Sequence, residues 1–329
     1  MKVTENEIRP EKMFNEYLAL AAIDTEVFFD RAETFIINCP ACGKKGKPLF
    51  DKVGFKYEEC EDCHTIYVSP RPHKEAFDAY YTDSPSTEFW ATTFYKVTEA
   101  ARREKLWKPK AQLIKKIIET YQGETNVTQI IDIGGGYGVF DEEIKLIMNI
   151  GTVVIEPSLH LAEICRERNL EVIEKFMEDI EAGELPKGRK CFVSFELFEH
   201  LHDPELFLKT VFDSMEKDDL FIFTTLSGMG LDIQVLRENS KAISPPHHLN
   251  FLNPKSIELL LNKVGFEVLE ACTPGKLDID ILKNNQRFIK DQAWLNILDY
   301  STEEELDKMQ TFLADSGLSS HMMVTCLKP

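Results

Sequence analysis

The sequence predicts an α/β protein built on a parallel sheet, preceded by a small cysteine-rich domain. Three observations carry this prediction: an apolar strand that ends in a glycine-rich turn, short apolar runs that alternate with helical segments after it, and two paired cysteine motifs before it. A strand, a tight turn and a helix in succession open a nucleotide-binding α/β unit. A chain of 329 residues with 43% apolar residues has room for two domains.

The glycine-rich turn follows the apolar run QIIDI, which carries a single acid, Asp132. Its glycines include Gly134, Gly136 and Gly138. Glycine suits this position because the backbone turns sharply there and lets a ligand come closer than a Cβ would allow. The dinucleotide fingerprint G-x-G-x-x-G is not met, since Val139 stands where its third glycine would be.

The composition limits the class of partner. The formal charge of −18 and the pI of about 5.0 predict a surface that repels phosphates, so we expect no nucleic acid partner. No apolar run approaches the roughly 20 residues of a membrane span, and the polar N-terminus does not resemble a signal peptide. We therefore expect a cytoplasmic protein that acts on a small molecule without a membrane partner.

The paired cysteines predict a metal site. CPAC is followed by 17 residues and then by CEDC, which presents the four thiols of Cys39, Cys42, Cys60 and Cys63 at zinc-ribbon spacing. Disulfides are the weaker alternative in a reducing compartment. Four thiolates fill the coordination sphere of zinc, so the predicted Zn²⁺ is structural. His64, beside the last cysteine, is interpreted as a bystander.

Four segments are predicted along the chain. They are a lead-in helix (1–37), the zinc ribbon (38–72), a helical segment (73–123) and the α/β domain (124–329). Within the helical segment lies the densest positive cluster of this acidic chain, formed by Arg102, Arg103 and Lys105. It is either a solvated helix face or the counter-ion of an anionic substrate or cofactor group.

A second acid follows the next strand. The run TVVIEPS predicts a strand that ends in Glu156, 24 residues after Asp132. An acid at this point can accept both hydroxyls of a ribose. A third strand, LEVIE, leads to the turn FMEDI, whose Phe176 and Met177 fall where an adenine would lie. The runs CFVSF and LFIFTT predict the fourth and fifth strands.

Two further runs carry a family resemblance. FELFEHLHDP and SPPHHLNFLNPKSIELLLNKVGFEVLE, together with the acid and glycines of the turn, resemble class I S-adenosylmethionine (SAM) methyltransferases, in particular those grouped around the ubiquinone-biosynthesis O-methyltransferases. The match covers roughly residues 128–272. The cysteine-rich front end is similar to that of C-methyltransferases acting on nucleotide-linked sugars. The resemblance implies SAM as cofactor and a small, anionic or nucleotide-linked acceptor.

The resemblance also implies an architecture. It is a Rossmann-like sheet of seven strands in the order 3-2-1-4-5-7-6, with strand seven antiparallel and helices on both faces. GFEVLEAC would be the sixth strand and HMMVTCLKP the seventh. Residues 276–319 would then be an insertion that either covers the site or mediates a homodimer. The residues implied to bind the cofactor are Asp132, Gly134, Gly136, Tyr137, Gly138, Glu156, Phe176, Met177 and Glu196.

Methyl transfer to an O–H or C–H group also requires removal of a proton. Four histidines follow the carboxyl ends of the strands: His200 and His202 after strand four, and His247 and His248 in the long loop from 227 to 250. Of these, His200, His247 and His248 are the candidate bases. In the resembling enzymes the pair Glu199–His200 lies on the cofactor side. His247 and His248 align with the glutamate–histidine pair of the sugar C-methyltransferases, with His247 at the glutamate position.

Of the three histidines, His248 is the first choice as base. Two alternatives stay open. The loop that carries His247 and His248 could simply cap a helix that begins near Pro254. The whole chain could also be a binding or scaffold protein that keeps the SAM fold without turnover and uses its ribbon to contact a partner.

Overall fold

The computed structural model describes residues 4–122, 127–181 and 183–329. Two helices begin the chain, α1 (Glu5–Ile8) and α2 (Glu11–Phe29), and a short strand, β1 (Thr34–Phe35), follows. In α2 the buried residues Phe14, Tyr17 and Ala21 recur at helical spacing, so one face of the helix packs on the body of the protein. The predicted lead-in helix thus corresponds to α2.

The cysteine-rich segment forms a small sheet. Its strands are β2 (Gly46–Lys52), β3 (Phe55–Cys60) and β4 (Ile66–Val68), and a further strand, β5 (Arg71–Pro72), pairs with β1. The fourth member of the small sheet comes from far along the chain: Asn250–Phe251 pairs antiparallel with β4. The sequence analysis predicted no strand there, because two residues are too few to show a period.

The helical segment contains α3 (Lys74–Asp83), α4 (Pro85–Phe89), α5 (Tyr95–Arg102) and α6 (Lys108–Gln122). Two π-helical turns, Trp90–Phe94 and Arg103–Trp107, join α4 to α5 and α5 to α6 into a nearly continuous rod. Such turns often mark functional sites. The predicted boundary at 123/124 lies outside the described residues.

The central sheet has seven strands. They are β6 (Gln129–Ile133), β7 (Gly151–Ile155), β8 (Glu171–Ile173), β9 (Lys190–Phe195), β10 (Leu220–Leu226), β12 (Glu267–Cys272) and β13 (His321–Leu327), where β11 is Asn250–Phe251. The order is β8-β7-β6-β9-β10-β13-β12, and β13 is antiparallel to both neighbours. The predicted Rossmann-like topology is confirmed.

Helices cover both faces of this sheet. They include α7 (Val139–Ile147), α8 (Leu159–Glu167), α9 (Pro204–Ser214) and α11 (Pro254–Val264). Because both faces are covered, the central strands are apolar throughout, and β9 and β10 are buried along their whole length. The parallel strands carry their carboxyl ends, and the loops that follow, to one edge of the sheet.

Two segments beyond β10 are helical. The loop predicted between 227 and 250 contains α10 (Leu231–Leu236), so the interpretation of this whole stretch as a loop was wrong. The predicted insertion holds α12 (Asp278–Asn284), α13 (Gln292–Tyr300) and α14 (Glu303–Asp315), which share an apolar cluster with α10. No helix in the described ranges is both long enough and apolar enough to cross a membrane.

Candidate functional site

The glycine turn forms one corner of the carboxyl edge. Gly134, Gly136 and Gly138 all have positive φ angles, of 72°, 55° and 67°, which explains why glycine occupies these positions. A Cβ added to Gly136 would meet no atom within 4 Å, so this glycine faces open space. The turn therefore exposes bare backbone at Gly136.

Glu156 lies beside this open face, at the end of β7. Its Oε2 accepts a hydrogen bond of 3.0 Å from the backbone N–H of Gly136, and its Oε1 accepts one of 3.0 Å from Ser158. Burial raises the pKa of Glu156 to about 7. Each carboxylate oxygen keeps a further lone pair, so the side chain can accept two hydroxyl groups without giving up its position.

Asp132 is buried beneath the turn, with 1% of its surface exposed. Within the described chain, its Oδ1 and both carboxylate oxygens of Asp141 have no hydrogen-bond partner. Burial and the neighbouring Asp141 raise the pKa of Asp132, and burial raises that of Asp141 to about 6. The two acids therefore favour sharing a proton. Asp141, in the first turn of α7, was not singled out in the sequence.

Tyr137, in the glycine turn, contacts the helical rod formed by α4 to α6. Its ring stacks on Tyr95 of α5 at 4.2 Å between centroids. Arg103 holds the rod to the first turn of α7, where it donates to Glu143 at 2.7 Å and pairs with Glu142. These contacts place the rod against the glycine turn and the start of α7.

The predicted positive cluster is largely occupied by these structural contacts. Arg103 is committed to the carboxylates of α7, and Lys105 pairs with Glu7 of α1. Arg102 lies 5.1 Å from the centroid of the Tyr95 ring and reaches the carbonyl of Ile8 at 3.5 Å. Arg103 and Lys105 therefore do not present free charge to a ligand.

The two predicted adenine contacts occupy different environments. The Phe176 ring is 42% exposed and has the ammonium of Lys74 5.0 Å from its centroid. Met177 is 2% exposed, and its side chain belongs to the apolar core of the sheet. Of the two, the Phe176 side chain is the one that remains accessible.

Glu196 lies directly after β9 with a positive φ of 54°. It accepts a hydrogen bond from the Thr224 hydroxyl at 2.7 Å, and His321 Nδ1 lies 3.3 Å from its Oε1. Burial alone would raise its pKa, but His321 and Lys110 lower it to about 2. Glu196 is therefore an ionised, ion-paired group at the carboxyl edge.

The three candidate histidines come together although two chain segments supply them. The ring centroid of His200 lies 4.7 Å from that of His248 and 5.9 Å from that of His247. Glu199 completes the group, with its Oε2 accepting a hydrogen bond from Thr225 at 2.8 Å. Burial and the neighbouring Glu196 raise the pKa of Glu199 to about 8.

His248 has a defined tautomer. Its Nδ1 lies 2.6 Å from the carbonyl oxygen of Ala242. Because a carbonyl only accepts, Nδ1 carries the hydrogen and Nε2 keeps its lone pair. Burial lowers the pKa of His248 to about 4, so the ring is neutral at pH 7. It can accept a proton there, although as a weaker base than an exposed histidine.

His247 is enclosed by tyrosines. Its Nε2 contacts the Tyr80 hydroxyl at 2.5 Å, and the rings of Tyr17 and Tyr81 lie at 5.5 and 5.8 Å between centroids. Burial lowers the pKa of His247 to about 3. These tyrosines were missed as site residues; their only sequence signal was the aromatic enrichment of α2 and α3.

The alternative in which this loop caps a helix is wrong. Asn253 is the N-cap of α11, and it forms a reciprocal capping box with Ser256. His247 and His248 take no part in that cap. They are therefore free for a role at the carboxyl edge.

The four cysteines form a second, separate centre. Their sulfur atoms all lie within 4.8 Å of one another, with Sγ–Sγ distances of 3.5 Å for Cys39–Cys63 and 3.4 Å for Cys42–Cys60. Tetrahedral zinc with Zn–S bonds of about 2.3 Å separates its sulfurs by about 3.8 Å. The donor set and its spacing fit zinc. His64 Nδ1 contacts Glu59 at 3.1 Å, in keeping with its interpretation as a bystander.

A Rossmann-like sheet with this strand order and an acid on each side of its glycine turn defines the methyltransferase class of α/β proteins. The family model described as "Methyltransferase domain" matches residues 99–271. The chain belongs to that family. No curated protein sequence matches it significantly.

Two solved methyltransferase structures are similar to this chain at low sequence identity. The plantazolicin methyltransferase BpumL, in complex with a monoazolic desmethylPZN analog and SAH, is 13% identical with a TM-score of 0.50, over 78% of this chain and 95% of that chain. An O-methyltransferase of Brevibacillus brevis, from a trans-AT PKS multienzyme and in complex with S-adenosyl-L-homocysteine, is also 13% identical with a TM-score of 0.47, over 73% of this chain and 78% of that chain. The similarity to BpumL concerns the fold alone.

Proposed function

We propose that the protein is a SAM-dependent methyltransferase that acts on a small, anionic or nucleotide-linked acceptor. The observation that carries the proposal is the open backbone of Gly136 beside the buried carboxylate of Glu156. Three further arguments support it: membership of the methyltransferase-domain family, the SAH bound to a solved methyltransferase of similar fold, and a histidine cluster at the same edge of the sheet.

SAM supplies a methyl group on a sulfonium, which is an electrophile activated by its own leaving group. Glu156 would accept the ribose hydroxyls, and the glycine turn would line the cofactor with its backbone. The stacked rings of Tyr95 and Tyr137 would shield part of the bound cofactor from water. Phe176 would offer its exposed ring to the adenine. Asp132, whose Oδ1 lacks a partner among the described residues, would complete the polar lining.

In this proposal the histidine cluster removes the proton of the acceptor. Nε2 of His248 carries the free lone pair, because Nδ1 donates to Ala242. The ring is neutral at pH 7, so it can take up the acceptor's proton without first losing one. His200 and His247 flank it, and the Tyr80 hydroxyl fixes His247.

The charge of the acceptor is inferred from two cations that the fold leaves unpaired. The guanidinium of Arg9 and the ammonium of Lys241 lie 5.5 and 6.0 Å from the centroid of the same Phe14 ring. In the described part of the chain neither is in an ion pair. Arg9 also acts electrostatically on Glu196, Glu199 and His248. In a chain of net charge −18, such a pair favours a phosphate or carboxylate on the acceptor.

Isotope transfer tests the proposed function. We expect methyl-labelled SAM to pass its label to a small molecule of a metabolite extract, and the labelled product to be retained on an anion-exchange column. Protein inactivated by heat is the control. SAM binding with no labelled product in extracts of the source cells would contradict turnover and leave the scaffold interpretation. A labelled product that the column does not retain would contradict the anionic acceptor.

Glu156→Ala is expected to weaken SAM binding by about 1–3 kcal/mol, or roughly 5- to 150-fold, because the ribose hydroxyls lose their acceptor. Isothermal titration calorimetry with SAM and with S-adenosylhomocysteine measures the effect. Glu174→Ala is a control directly after the next strand, β8, where the side chain forms an exposed ion pair with Arg166. Equal affinity in wild type and Glu156→Ala would remove Glu156 from the ribose site.

A further inference from the structure

We propose that Arg71 and Tyr57 of the ribbon are positioning residues for the histidine segment, defined here as residues 247–250. In this proposal the ribbon is part of the frame of the active site rather than a separate module for contacting a partner. The catalytic meaning of the inference rests on the proposed function, whereas the positioning itself does not.

Arg71 joins the histidine segment to the chain that follows β9. It is the largest fully buried side chain among the described residues, with 1% of its surface exposed. Its guanidinium donates to the carbonyl of His202 at 2.5 Å and to Oδ1 of Asn250 at 2.7 Å. The amide of Asn250 in turn donates to the carbonyl of Leu201 at 2.7 Å. Arg71 and Asn250 thus bind both segments that carry candidate histidines.

Tyr57 acts on His248 itself. The Tyr57 hydroxyl donates to the backbone carbonyl of His248 at 2.9 Å, across 191 residues of chain. Next to it, the N–H of Val68 donates to the carbonyl of Leu249 at 3.0 Å, and β4 pairs with β11. Tyr57 is 1% exposed, so water does not readily replace this hydrogen bond.

The other side of the histidine segment is held by the site. The N–H of Leu249 donates to the carbonyl of Glu199 at 2.7 Å, which places His248 beside His200. The ribbon's metal centre is linked to the same strand end, because the amide of Asn253 donates to the carbonyl of Cys63 at 2.7 Å. The segment therefore lies between the cysteine centre and the residues after β9.

This arrangement answers a geometric requirement. His200 and His248 lie on segments separated by a helix, a strand and a second helix, so neither local sequence nor helix geometry sets their distance. A shift of about 1 Å in a reacting group can cost about 100-fold in rate. Hydrogen bonds from a rigid element that contacts both segments can fix such a distance. Here the ribbon provides these hydrogen bonds.

Tyr57→Phe tests the inference with the loss of a single hydroxyl. Tyr67→Phe is the matched control, because Tyr67 is equally buried on the neighbouring strand but donates to Glu58 instead. We expect Tyr57→Phe to lower kcat about 10-fold and to leave the KM for SAM unchanged. The ring ¹⁵N and ¹H signals of His248 should shift in Tyr57→Phe and stay in place in Tyr67→Phe.

One further variant guards against misfolding. Arg71→Lys keeps the charge but cannot span both acceptors, so we expect its His248 ring signals to shift further, with zinc content and SAM affinity retained. Signals that move equally in Tyr57→Phe and Tyr67→Phe, or in neither, would overturn the inference. Shifted signals in a protein that transfers no methyl group would support the positioning and contradict the proposed function, so the two failures are distinguishable.

Discussion

Replacing His248 by glutamine is expected to slow methyl transfer by about 100- to 10,000-fold while SAM affinity stays nearly unchanged. Glutamine keeps hydrogen-bonding capacity but has no basic nitrogen to replace the free Nε2 of His248. Single-turnover rates with labelled SAM measure the chemical step, and calorimetry measures cofactor binding. The same substitutions at His247 and His200 rank the three members of the cluster.

The pH dependence sharpens this prediction. Because burial lowers the pKa of His248 to about 4, the ring stays neutral as the pH falls from 7 to 5. His248 should therefore lose its capacity to act as a base, and the rate should fall, only near pH 4. This is well below the ordinary histidine pKa of about 6.5. His64→Gln is the control, since its side chain is exposed on the ribbon. Wild-type rates in the His247 and His248 single and double variants would place the base elsewhere, with His200 next.

Loss of the metal is expected to have the largest effect on stability. The purified protein should contain one zinc per chain, and Cys63→Ser or Cys39→Ser should lose it. Binding of structural zinc contributes about 10–16 kcal/mol in zinc-finger peptides. Because Cys39, Cys60 and Cys63 share an apolar cluster with the central sheet, we expect the thermal unfolding of the whole chain to move to lower temperature. Metal analysis and calorimetric melting measure both effects.

Cys272→Ser is the matched control for this experiment. Cys272 is a free thiol on β12, outside the cysteine centre, so its replacement should leave the zinc content at one per chain. SAM should still bind the zinc-free variants as long as they fold, since the glycine turn draws no ligand from the ribbon. Purified protein without zinc, or with Cys39 and Cys63 in a disulfide, would contradict the prediction.

Local patterns were sufficient for the glycine turn and the cysteine pairs. A positive φ is a property of one residue, so Gly134, Gly136 and Gly138 show the turn directly in the sequence. Metal-binding cysteines are similarly recognisable, because two C-x2-C knuckles reflect the geometry of the ion. The strand order was implied by the family resemblance, and the structure confirms that order.

The positive run of Arg102, Arg103 and Lys105 left two interpretations open, a solvated helix face or a counter-ion for a ligand. Most of the acids that pair with Arg103 and Lys105 lie far from them in the sequence. Arg103 pairs with Glu142 and Glu143, about 40 residues away, and these acids carry no mark of that pairing. Arg9 and Lys241, which form no ion pair within the described ranges, stand in no basic run.

By itself, therefore, the sequence determined the class of fold, the glycine turn with its flanking acids and the cysteine set, because each depends on neighbouring residues. Only the tertiary structure decided how His200 meets His248, which tyrosines enclose His247, and that β11 extends the ribbon sheet. These contacts join residues up to 230 positions apart, as between Tyr17 and His247. Such contacts follow no period or spacing along the chain, so they become visible only once the core has brought the segments together.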